Sequence, residues 1–220
     1  WQHHFGIGFV ETPNDFGTHG GAPSHPKLLD WLTAEFTANG WHWKPIHRMI
    51  VLSETYRQTH HHEDADEARD HDPQVRLLWQ FPRRRLSAEE LRDSMLSVAG
   101  RLNNQLGGES IMIPVDPALI EGLYKPTQWR VTTDPSQINR RSVYLIAKRN
   151  LRLPFMEAFD APPLLSSCPQ RETSIHAPQA LEMLNGDLAN ELADAFAERL
   201  TEESGDNPPQ IVHRAFWLAL

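Results

Sequence analysis

At 220 residues the chain is long enough for one sizeable domain, and it needs neither a disulfide nor a metal to hold it together, since a chain of that size buries about 70% of its unfolded surface. Its 21 Lys and Arg against 29 Asp and Glu give a formal charge of −8, which argues against general affinity for nucleic acid or anionic lipid. The lone cysteine, Cys168, excludes an internal disulfide and the paired thioethers of haem attachment, and no apolar run approaches the ~18 residues of a membrane span.

The chain opens with a glycine-rich loop, residues 6–24, full of turn formers: Thr12-Pro13, Asn14-Asp15, Gly17 and Gly20-Gly21. Ser24 as a cap and Pro26 in a first turn predict a helix. Its inner face carries Leu28, Leu29, Leu32 and Phe36, and Asn39-Gly40 ends it. Lys44-Pro45 opens the next helix, with Ile46, Met49, Ile50, Ser53 and Tyr56 on its inner side. Residues 60–72, with His60-His61-His62 and several acids, read as an exposed acidic and histidine-rich loop.

Ser87-Ala88-Glu89-Glu90 fits a capping box. Leu91, Met95, Val98, Leu102 and Leu106 then predict an amphipathic helix that runs to Gly107-Gly108. Further on, Trp129, Val131 and Thr133, and again Val143, Leu145 and Ala147, alternate around Asp134-Pro135-Ser136. That pattern predicts a β-hairpin over 128–149. Residues 154–160 read as a short helix followed by a proline-containing loop through Cys168-Pro169. Ala180, Leu181, Leu184, Leu188, Leu192 and Phe196 predict a long helix, and Ile211, Val212, Ala215, Phe216 and Ala219 a final one. The expectation is a single, mainly α, irregular helical domain over 1–220 with a small β-hairpin insertion. Both ends read as those of a segment of a longer chain, because no Met opens it and the last apolar stripe is unfinished.

The strongest candidate site is the loop over residues 12–26, which precedes a helix N-terminus where free amides favour an anion. It offers Asn14, Asp15, His19, Ser24 and His25. It lacks the spacing of a phosphate-binding loop. Arg57, Arg140 and Arg141 are candidate partners, since guanidinium forks suit carboxylate, sulfate and phosphate groups. Gathered around the loop, they would make a site for an anion or an acidic sugar. The plainer alternatives are that Asp15 and Ser24 cap turns and helices, and that the arginines pair with surplus acid. Asp15, His19 and His25 could supply mixed oxygen and nitrogen ligands, but their spacing is not diagnostic, and no metal is expected. His60, His61, His62 and His71 read as solvated. Seven tryptophans suit core or interface anchors, with exposed indoles able to stack on sugar rings. Cys168 has no identifiable catalytic partners and reads as a packed thiol.

Three stretches carry a family resemblance. The first runs from Phe5-Gly6-Ile7-Gly8 through Thr12-Pro13-Asn14-Asp15-Phe16-Gly17 and Pro23-Ser24-His25-Pro26 to Leu28-Leu29-Asp30-Trp31-Leu32. The second is His47-Arg48-Met49-Ile50 with Ser53-Glu54-Thr55-Tyr56-Arg57-Gln58. The third joins Asn139-Arg140-Arg141-Ser142-Val143-Tyr144-Leu145, Lys148-Arg149-Asn150, Phe155-Met156-Glu157-Ala158-Phe159-Asp160, Cys168-Pro169 and Pro178-Gln179-Ala180-Leu181. Together they resemble a PSD-type, cytochrome-associated domain of unknown function. That domain lies on the C-terminal side of large secreted proteins of planctomycetes, verrucomicrobia and related bacteria. His19 and Ile146 depart from the pattern. The resemblance implies an extracytoplasmic parent with upstream domains as partners. It implies haem, if any, elsewhere in the parent and no cofactor in this segment, and it supplies no catalytic residues. The resulting expectation is a non-catalytic binding or docking module, recognising a carbohydrate or another anionic ligand. The alternative is a metal- or redox-assisted enzyme domain completed by upstream domains.

Overall fold

The computed structural model describes residues 1–61 and 64–220. Among them are twelve α-helices: α1 (Gln2–Phe5), α2 (Pro26–Ala38), α3 (Trp43–Leu52), α4 (Glu54–Arg57), α5 (Ala65–His71), α6 (Ala88–Val98), α7 (Pro117–Glu121), α8 (Pro135–Ile138), α9 (Pro154–Ala158), α10 (Ala177–Asn185), α11 (Asp187–Ser204) and α12 (Pro208–Ala219). The fold is mainly α, as the sequence predicts. The chain forms two compact units, Trp1–Arg85 and Leu86–Leu220.

In the first unit α2 packs on α3. Phe5, Ile46 and Ile50 are buried between them, flanked by Trp1, Leu32, Phe36, Tyr56 and Leu78. The cap of α2 is His25 rather than Ser24, and no side chain bonds its first amides. The Ser24 hydroxyl lies instead 2.9 Å from His25 Nδ1. The helix expected to continue to Tyr56 breaks at Ser53. There the hydroxyl donates to the Ile50 carbonyl and accepts from the Tyr56 amide, ending α3 and starting α4. A serine that offers the backbone this local alternative competes with helix continuation. Within the stretch predicted as a loop, residues 65–71 form α5. Asp66 and Glu67 sit in its first turn and Arg69 and His71 in its last, the arrangement that suits the helix dipole. His60, His61 and His71 are exposed; His62 and the adjoining Glu63 lie outside the described residues.

In the second unit the capping box forms as predicted. Ser87 Oγ accepts from the Glu90 amide, and the Glu90 carboxylate accepts from the Ser87 amide. The helix nevertheless stops at Val98, well short of Gly107. Gly100 takes the left-handed φ of 71°, and the Arg101 and Leu102 amides turn back to the Leu96 carbonyl. Leu102 still reaches the core of Leu96, Ala99, Leu192 and Ala195 shared by α6 and α11, whereas Leu106 is left 77% exposed. The long C-terminal stripe is likewise two helices. Gly186 separates α10 from α11, and a Cβ there would lie 2.4 Å from the Glu182 carbonyl oxygen.

The hairpin predicted over 128–149 is not what the described residues form. Asp134 caps α8 with its carboxylate, and Ser142–Tyr144 is a 3-10 turn. The two alternating stretches pair with a third one instead of with each other. The Ile111 amide donates to the Tyr144 carbonyl, the Ile146 amide to the Ile111 carbonyl, and the Thr132 amide to the Met112 carbonyl. One apolar residue of each, Trp129 and Leu145, enters a shared core, in which Trp129, Leu151, Leu153 and Leu123 are buried with Leu145 and Ile113 against them, whereas Val131 and Val143 are exposed.

Candidate binding surfaces

The loop over residues 12–26 uses its polar groups on itself. Thr12 Oγ1 donates to the Asp15 carbonyl at 2.7 Å and accepts from the Gly21 amide at 3.0 Å. Asp15 Oδ1 accepts from the Gly17 amide at 3.2 Å. A Cβ at Gly20 would lie 2.1 Å from the Asp15 carbonyl oxygen, so only glycine fits there. Asn14, Asp15 and His19 are exposed, while Ser24 and His25 are half-buried. His25 packs edge-on against Phe9 at 6.3 Å. Among the described residues no group of three or more His, Cys, Asp or Glu side chains is placed to hold a metal ion.

Arg57 is exposed in the last turn of α4. Arg140 and Arg141 belong to the second unit and behave oppositely. Arg140 is buried. Its guanidinium donates to the carbonyls of Glu109 (3.1 Å), Gln105 (3.4 Å) and Gly107. It also lies 3.7 Å from the Tyr144 ring centroid, and the Tyr144 hydroxyl accepts from the Gly107 amide. Arg140 is thus the peg on which the loop over residues 103–109 is wound. Arg141 is exposed, with its Nε 3.7 Å from Asp93 Oδ2.

Arg92 is a second buried arginine, one that sequence reasoning missed. It donates to the carbonyls of Arg140 (3.0 Å) and Ile138 (2.8 Å) and to Ser142 Oγ (3.2 Å). Burial pushes its pKa down, opposed by the neighbouring Asp93 carboxylate. A signal existed: Arg92 is the charged member of the buried row Ala88, Arg92, Leu96 and Ala99 at helical spacing.

A histidine pair closes the first unit. His4 Nε2 lies 2.8 Å from His47 Nδ1, and the His4 ring meets Tyr56 edge-on at 5.7 Å. Burial pushes the His4 pKa down, and His47, the chain amine, His3 and Arg84 add to that.

The tryptophans divide. Trp129 is buried and donates to the Ile113 carbonyl, and Trp79 donates to the Asp72 carbonyl. Trp1 stacks on Phe9 at 4.2 Å. Trp31, Trp41, Trp43 and Trp217 are exposed. On α12 the exposed face carries Val212, Phe216 and Trp217, followed by Leu220, while α10 exposes Leu181, Met183 and Leu184. Cys168 is exposed rather than packed, its thiol donating to the Gln170 carbonyl. The adjoining loop is pinned to α6 by the two-pronged Arg171–Glu89 pair at 2.6 and 3.0 Å.

These features define a mainly helical, loop-rich module that exposes several large aromatic and apolar side chains. Its arginine-centred polar networks hold loops in place. The chain belongs to the family described as PSD1, a protein of unknown function (DUF1553), which it matches over residues 1–220. No curated protein and no solved structure matches it. Among the described residues no helix is long and apolar enough to cross a membrane.

Proposed function

We propose that the chain is a non-catalytic binding and docking module of a multidomain extracytoplasmic protein. One part of its surface seats another domain of the same polypeptide, and another part recognises an acidic carbohydrate. The observation that carries the docking half is surface area. The chain exposes 15472 Å². A compact body of 25.2 kDa exposes about 10,000 Å², and two separate bodies sharing that mass about 12,000 Å². The excess is several times the roughly 800 Å² that one partner contributes to a stable interface. The exposed surface includes large apolar side chains, with Phe216 and Trp217 62% and 66% exposed. Patches of that kind mark interaction sites.

The resemblance to secreted, cytochrome-associated proteins supports the extracytoplasmic setting. Haem would lie elsewhere in such a polypeptide. The alternative is a metal- or redox-assisted enzyme domain whose site is completed by upstream domains. Hydrogen exchange tests the docking half. The amides of α10 and α12 should exchange more slowly in the intact polypeptide than in this chain alone. Equal exchange in both would remove the proposal.

A further inference from the structure

The corner between α2 and α3 is aromatic and cationic at once. The Trp41 and Trp43 rings flank Phe36, with centroids 5.4 and 4.4 Å from it, yet they are 68% and 64% exposed. Phe36 meets the Trp41 ring edge-on and the Trp43 ring at a tilt, so each indole rests on the fold along one side only. Lys44 and Arg48 follow, four residues apart on α3, both exposed. Residues so spaced are neighbours on a helix surface. Residues 36–53 contain no Asp or Glu, although the chain as a whole carries a charge of −8. The acid just before them, Glu35, lies against the Asn39 side-chain amide at 3.5 Å. Among the described residues no carboxylate forms an ion pair with Lys44 or Arg48.

The backbone adds an independent observation. Gly40 and Trp41 both take left-handed conformations, with φ of 66° and 63°. Glycine does so freely, but a bulky side chain there is strained. Strain of this type is characteristic of ligand clamps. The Gly40 and Trp41 amides bond to the Thr37 and Phe36 carbonyls and so end α2, and the turn they make leaves the Trp41 indole 68% exposed.

We propose that Trp41, Trp43, Lys44 and Arg48 form a binding surface for an acidic oligosaccharide. The indoles would stack on the C–H faces of successive sugar rings, and the two cations would pair with their carboxylate or sulfate groups. This rests on the carbohydrate half of the reading above. It places the carbohydrate site at the α2–α3 corner instead of the loop over residues 12–26. An acidic peptide would satisfy the two cations, as acidic motifs do at arginine clusters, but a chain such as polyglutamate offers the two exposed ring faces no sugar-like C–H surface.

The test is calorimetry and tryptophan fluorescence of the chain with four probes of equal length. They are an oligogalacturonate hexamer, a heparin hexasaccharide, neutral cellohexaose and hexaglutamate. At least one acidic saccharide should bind at least tenfold more tightly than cellohexaose and hexaglutamate. Trp43→Ser, and the pair Lys44→Gln with Arg48→Gln, should each weaken that binding at least tenfold. Trp41→Gly should weaken it too, while melting at or above the wild-type temperature, because it relieves the left-handed strain. Should Trp43→Ser fail to fold, Trp43→Phe, which keeps a smaller ring, should show a partial loss. Failure of both acidic saccharides to bind overturns the proposal. So does hexaglutamate binding as tightly as they do, or a Lys44/Arg48 variant that binds like wild type. Phe216→Ser with Trp217→Ser should leave saccharide affinity unchanged. A loss there would place the site on α12 and overturn the assignment, independently of whether docking holds.

Discussion

Arg140 brings a positive charge into the second unit and meets it with backbone carbonyls and the Tyr144 ring. Removing a buried charged donor strands every acceptor it served. Arg140→Ala should therefore destabilise the second unit by about 3 kcal/mol, read by urea unfolding followed through Trp129. Arg140→Lys should recover less than half of that loss, because one ammonium cannot span carbonyls that a planar fork reaches together. At Gly20 the constraint is steric. An added Cβ would overlap the Asp15 carbonyl, so Gly20→Ala should cost about 2 kcal/mol or more in thermal melts of the first unit. The His4–His47 pair carries a pH dependence whose sign follows from the lowered His4 pKa. The unfolded chain protonates His4 more readily than the folded one. Stability from this contact is therefore complete above the ordinary value of 6.5. It declines as pH falls below that and is gone once pH passes the lower folded value. His4→Gln should flatten that decline, and an unchanged acid limb in the melting profile would rule out the pair as its source.

At the scale of elements, the sequence was most legible where one local signal sufficed. The capping box at Ser87 and Glu90 placed the start of α6, and Ser87→Ala should cost about 1 kcal/mol in thermal melts of the second unit. The ends were less legible, because apolar periodicity outlasts the helix that carries it. Leu102 touches the same core as Leu96 although Gly100 has already turned the chain. In the same way Ser53 divides α3 from α4, and Gly186 divides α10 from α11. The alternation read as a hairpin recorded burial only in part, since Trp129 and Leu145 enter one core while Val131 and Val143 are exposed. It misled about pairing because the partner of both stretches, Ile111-Met112, lies elsewhere in the chain. The structure divides the candidate residues between its two units for a related reason, with Arg140 and Arg141 in the second unit and the loop over residues 12–26 in the first. Arg140 is of a residue type that binds anions, but here its guanidinium donates to backbone carbonyls of the chain itself, and Thr12 and Asp15 bond to backbone groups of their own loop. Which acceptor such a side chain takes is set by tertiary distance, and composition does not contain that. The α2–α3 corner was equally hidden, because Trp41 and Trp43 read as core until their exposure is known.

On the scale of the whole molecule, the question is what the exposed apolar side chains are for. A core residue replaced by serine loses its packing, whereas a docking residue loses almost nothing until its partner arrives. Arg214 pairs with Glu203 at 2.6 Å, an ion pair between α12 and α11 made by neither outward ring, although the Trp217 ring lies 4.3 Å from the same guanidinium. Phe216 and Trp217 make up a large share of that helix's exposed area. Replacing both by serine should therefore shift stability by only about 0.5 kcal/mol. In an assay where the rest of the polypeptide is supplied as a separate chain, the same change should weaken association at least tenfold. A fall in melting temperature comparable to that of a core substitution would mean that these side chains serve the fold. Intact association with unchanged melting would mean that they serve neither, and the excess surface would then need another owner.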